Sequence, residues 1–132
     1  MNPDAFCLSR GVTTAVDAGS AGATTIKGLI QYGANRNRTR LLAFLHVTLH
    51  GLASAGCAGG GTGGELDSLK QVSVRDGVAA AKAYPDHVVG FKVIGLDTKP
   101  KAECIQTSRF VYLLTVLMME KPRRRHIDVR GK

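Results

Sequence analysis

The sequence predicts an α/β fold built on parallel strands, and three observations carry that prediction. Apolar runs at 12–17, 41–47 and 87–95 are rich in β-branched and aliphatic residues and lack an alternating polar face. Two stretches with helical spacing lie between them, one from Thr24 or Thr25 to about Asn35 and one from Ser73 to Tyr84. Strands alternating with helices in this order indicate right-handed crossovers and a sheet buried on both faces.

Taken in order, Asn2-Pro3-Asp4 reads as a turn or helix start, and Ala5–Ser9 as one helical turn ended by Arg10-Gly11. Val12–Asp17 reads as the first strand. The small residues Ala18–Ala23 follow, a loop that lets backbone approach closely. The first helix carries Ile26, Leu29, Ile30 and Gly33 on its apolar side, with Thr24 or Thr25 as N-cap. Asn35–Arg38 ends it as a polar turn, and Leu41–Val47 is the second strand. Residues 51–64 hold seven of the 16 glycines and read as a long loop. Glu65–Lys70 is a short polar turn or helix. Ser73 caps the second main helix, whose Val78 and Ala81 point inward, and Pro85 stops it. The third strand follows as His87–Gly95. Three strands and two helices cannot by themselves cover both faces of a parallel sheet.

Within that third strand stands Lys92, a cation in an apolar run. Lysine is rarely buried without a partner, so either the strand ends there and the ammonium reaches water, or the residue has a chemical task. After Gly95 the alternation breaks. Residues 96–120 form a divergent segment in which Phe110–Met119 could be helix or strand, and 121–132 form a basic tail with the composition of a disordered segment. The expected organisation is thus 1–95, 96–120 and 121–132.

Composition bounds the function classes. A chain of 132 residues, 44% hydrophobic and 21% charged, suits one soluble globular domain. The net charge is +8, of which residues 121–132 carry +5 and the first 120 residues only +3. A mildly basic body argues against nucleic acid as the main partner. Three widely spaced cysteines, at 7, 57 and 104, suit a reducing compartment and neither a disulfide framework nor a zinc knuckle. No apolar stretch reaches the roughly 20 residues a membrane helix needs, and no signal segment opens the chain. The expectation is a soluble, cytoplasmic protein.

Three segments carry a family resemblance. Gly11-Val12-Thr13-Thr14-Ala15-Val16-Asp17-Ala18-Gly19-Ser20-Ala21-Gly22 resembles the second-strand motif of the amidohydrolase superfamily, and more narrowly of its dihydroorotase-like amidohydrolase/deacetylase members. Arg38–Leu45 resembles their third strand and Val88–Val93 their fourth. The resemblance covers roughly residues 2–95. It implies a partial (β/α)8 barrel of about three strand–helix units, with the site at the C-terminal strand ends. It also implies a small-molecule acyl amide or ester as substrate, hydrolysed with zinc or another divalent metal. In that family the lysine matching Lys92 is carboxylated and bridges metals. Asp17, Gly19 and Ser20 fall where the substrate pocket lies.

The chain departs from the family pattern as well. The HxH pair after the first strand, the histidines of the fifth and sixth strands and the aspartate of the eighth have no recognisable counterpart. Lys92 alone cannot hold a divalent ion that takes about four ligands. The resemblance therefore implies a fragment that is inactive alone and leaves the metal unbound. Residue chemistry keeps plainer readings open: Lys92 as a solvated strand-end lysine, Asp17 as a cap on the following loop, Gly19 and Ser20 as a close-packed turn, and His46 and His50 as satisfied or solvent-facing histidines. A non-catalytic module binding through Arg123–Arg125 is the alternative function; it predicts salt-sensitive nucleic-acid binding. Exposed strand edges would favour self-association.

Overall fold

The computed structural model describes residues 2–54 and 69–93. Expectations for 96–120, for the basic tail and for most of the glycine-rich loop lie outside those residues.

The first helix, α1, spans Pro3–Phe6. Pro3 stands in its first turn, and the Asn2 side chain caps it by accepting the Asp4 backbone N–H. A 3-10 turn at Leu8–Arg10 follows and closes on Gly11, whose φ is +77°. The chain then enters β1, Thr14–Asp17, two residues later than the apolar run suggests. Helix α2 covers only Ile26–Leu29 and continues as a π-helical turn over Ile30–Ala34. Strand β2 is Arg40–His46, α3 is Val74–Ala83, and β3 is Val88–Lys92. Further 3-10 turns lie at Gly51–Ser54 and Leu69–Gln71.

The three strands form one parallel sheet in the order β1-β2-β3. Parallel neighbours need a crossover between them, which is where the sequence places α2 and α3. One face of the sheet is closed by apolar packing. Leu45 and Val88 meet Ile26 and Ile30 from the first crossover and Ala80 and Ala81 from α3. The alanines keep the helix-to-sheet distance short, and Leu45 is fully buried there. Inward residues of α3 are Gly77, Ala80 and Ala81, with Val78 only half-buried.

The other face is left open, as two helices cannot cover both sides of the sheet. Val16 is 50%, Phe44 40% and Val89 48% exposed. A continuous apolar strand cannot show from sequence which of its faces is covered, and here the two crossovers pack on one side. The caps differ as well. Ser73 caps α3 as expected, accepting the Asp76 N–H and donating its hydroxyl proton to the Asp76 carboxylate. Thr25 stands at the N-cap of α2 without a capping side-chain bond. Its hydroxyl instead accepts the Gly22 N–H and lies 3.1 Å from the His50 carbonyl. The Thr24 hydroxyl donates to the Leu49 carbonyl. Both threonines thus tie the loop after β1 to the loop after β2.

At the N-terminal end of the sheet, Asp4 accepts the backbone N–H groups of Arg38 and Thr39 and the Thr39 hydroxyl. These bonds, the Arg38 N–H first, hold the Asp4 carboxyl below its ordinary value. The register between β2 and β3 slips by one residue between Ala43 and Phe44, a bulge.

Candidate functional site at the C-terminal strand ends

Each strand ends on a polar residue: Asp17 closes β1, His46 closes β2 and Lys92 closes β3. Ala15–Val16, Leu41–Leu45 and Val88–Phe91 lead up to these positions, so a polar group marks where each strand stops. The parallel arrangement brings all three ends to one edge, where loops can carry chemistry on a rigid base.

Asp17 is buried, and its carboxylate is turned into the chain that follows. One oxygen accepts the backbone N–H groups of Gly19 and Ser20, at 3.1 and 2.8 Å, and the other accepts the Ser20 hydroxyl at 2.5 Å. This is an Asx-type turn. It shapes the loop from residue 17 to 20 and commits both carboxylate oxygens to it.

Gly19, at the apex, has φ +98°, a backbone conformation that side-chain-bearing residues rarely adopt. A Cβ there would overlap the Cδ of Lys92 and approach its Cβ to 3.1 Å. The turn built by Asp17 therefore lies directly on the aliphatic stem of Lys92, which is half-buried. Gly22 makes a second close approach, since a Cβ on it would overlap the Thr48 carbonyl oxygen. The structure thus joins Lys92 to Gly19 by contact, and Gly19 and Ser20 to Asp17 by hydrogen bonds.

His46 lies beside Lys92. The two are parallel partners across β2 and β3, so their side chains leave the same face of the sheet from strands about 4.8 Å apart. His46 is only 2% exposed. Its Nδ1 accepts the Thr48 backbone N–H at 3.1 Å and lies 2.7 Å from the Thr48 hydroxyl. A nitrogen accepting a backbone N–H carries no proton, so the neutral ring has its proton on Nε2. The sequence reading leaves His46 as a satisfied or solvent-facing histidine and misses its place next to Lys92. The signal was present: both residues follow apolar runs on strands that the helix between them makes parallel. His50 is exposed, and its Nδ1 lies 3.3 Å from the Thr24 hydroxyl.

Among the described residues, no three His, Cys, Asp or Glu side chains gather into a metal-holding group. The nearest donors are committed: Asp17 to its turn and His46 Nδ1 to Thr48. The described residues therefore do not fit a metal centre. No helix among them is long and apolar enough to cross a membrane.

No family model matches the chain. A deacetylase of Brucella anthropi and a deacetylase of Agrobacterium fabrum are each 33% identical to it over 93 residues, which is 70% of this chain and 22% of theirs. The matched chain thus spans about a fifth of the length of these relatives. A dihydroorotase structure superposes on 80% of this chain and 33% of its own with a TM-score of 0.66 and 28% identity. An adenine deaminase structure shares the fold over 86% of this chain and 28% of its own, with a TM-score of 0.68 and 24% identity. Three parallel strands with their crossovers on one face, ending in Asp17, His46 and Lys92, are an amidohydrolase-like segment, a partial (β/α)8 barrel with a hydrolase-like fold.

Proposed function

We propose that this chain is a portion of a metal-dependent hydrolase acting on acyl amides or esters, and that it is inactive alone. The observation that carries the proposal is the placement of Lys92. It ends β3 at the C-terminal edge of the sheet, packed on the Asp17–Ser20 turn, in a chain 33% identical to two deacetylases. Catalytic groups of such barrels stand at that edge. In this reading Lys92 acts as its carbamate, which converts a cation into an anionic oxygen donor. Gly19 and Ser20 line the floor on which a small acyl substrate rests. Asp17 holds that floor in shape and does not touch the reacting atoms. The ligands that would complete a metal centre come from outside the described residues.

The test is hydrolysis of acyl-ester and cyclic-amide substrates by the purified chain, supplied with zinc and bicarbonate. The expected result is no turnover above buffer. Turnover that Lys92→Ala abolishes would show that the chain is active alone and overturn the inactive part of the proposal.

A further inference from the structure

We propose that the apolar segment Phe110–Met119 of this same chain docks on the open face of the sheet and covers it. The proposal does not depend on the reading of Lys92. Val16 pairs with Leu42, and Phe44 follows two residues on, so their side chains leave the same side of the sheet. Val16, Phe44 and Val89 are each between 40% and 50% exposed. The Phe44 ring sits against Gly90, where a Cβ would come within 3.0 Å of it. Between Arg40 at one end and Lys92 at the other, this face runs through Val16, Leu42, Phe44 and Val89 without a charge.

The chain supplies a matching surface. Phe110–Met119 carries no charge and nothing more polar than Tyr112 and Thr115. Apolar area left in water costs free energy on the segment and on the face alike, and burying one on the other removes both costs. Reach does not limit the contact: residues 94–109 can span about 50 Å when extended, whereas the longest strand, Arg40–His46, is about 23 Å long. A second copy is the weaker occupant. Three short strands present roughly 200–300 Å², well under the roughly 800 Å² per partner of a stable interface. A tethered segment needs no such area, because its tether keeps it at a high effective concentration. The competing surface is a groove of about 480 Å³ between α2 and α3. Ile26, Ala80 and Tyr84 line it, but so do Lys27 and Asp76, whose charges an apolar occupant would strip of water. The open face imposes no such cost.

Photocross-linking of the full chain tests this. Benzoylphenylalanine replaces Phe44, or the exposed Val16 should the first variant not fold, and the products are mapped by mass spectrometry. Cross-links to 110–119 within one chain are expected, at a yield unchanged by dilution. Leu113→Asp combined with Leu114→Asp should cut that yield about tenfold or more, because an unpaired carboxylate resists burial. No cross-link to 110–119 would overturn the proposal. So would one that joins two chains and rises with concentration, which would make the face an interface between copies. A probe at Ala83 that captures 110–119 while the sheet probe does not would overturn it in favour of the groove. A yield undiminished in the double variant would mark a chance encounter and overturn it as well.

Discussion

Asp4 and Asp17 use the same physical device at opposite ends of the sheet. Each carboxylate accepts two backbone N–H groups and one hydroxyl. Asp4 reaches across 35 residues of sequence to Thr39 and ties α1 to the start of β2. Asp17 reaches only to Ser20 and bends its own loop over Lys92. A long-range carboxylate fixes where elements sit; a short-range one fixes the shape of a surface. The N-terminal end of this sheet is accordingly built for connection and the C-terminal end for presentation, the division seen in (β/α)8 barrels generally.

That contrast can be broken or sharpened by substitution. The largest effect is expected in the core beneath the C-terminal end, where Leu45→Ala should cost about 2–5 kcal/mol in denaturant unfolding because it empties the packed helix-side face. Such a loss calibrates global destabilisation for the others. Asp17→Ala should cost about 1–3 kcal/mol, since it strands the buried Gly19 N–H and the part-buried Ser20 N–H. Its hydrogen-exchange signature should be confined to the 17–22 loop and the Lys92 strand end. Exchange spreading across the whole sheet would erase the distinction between the two carboxylates. Ser73→Ala should cost about 1 kcal/mol through loss of the α3 cap, read as a shift in the unfolding midpoint.

The smallest effect concerns pH. The Asp4 carboxyl is held below its ordinary value of 3.8 by the Arg38 and Thr39 N–H groups. A carboxyl lowered by folding contributes stability that is fully present above its unfolded value and lost as pH falls through the folded one. The Ser73 hydroxyl lowers Asp76 in the same direction. Thermal midpoints should therefore decline as pH falls below about 4, and Asp4→Asn should flatten that decline. An unchanged acid slope in Asp4→Asn would remove Asp4 from the connecting role.

Much of the fold was legible because apolar runs and helix-start residues are local signals. Ser73 could be read as a cap since the N–H it accepts lies three residues away. Thr25 could not, because its partner His50 lies 25 residues away and becomes a neighbour only after the sheet forms. The Asp4–Thr39 bond was hidden for the same reason. The apolar runs of the strands announced burial without saying on which side, so an uncovered face was expected from two helices, but not that Val16, Phe44 and Val89 would stand on it. At the candidate site, Lys92 stood out because a cation in an apolar strand is chemically conspicuous. His46 did not, because a histidine gains meaning only from the residue beside it.

The slip between Ala43 and Phe44 has a consequence for that pairing. Ala43 faces Val88, yet Phe44 faces Gly90, and Val89 is passed over. With an unbroken register, the residue opposite His46 would be Phe91. One surplus residue in β3 thus changes the parity of everything downstream, trading a hydrocarbon ring for an amine at the point where the strand emerges. Removing Val89 would leave Phe44 opposite Gly90 and His46 still opposite Lys92, with no residue passed over. The chemical identity of this edge is set by an odd number as much as by the presence of a lysine.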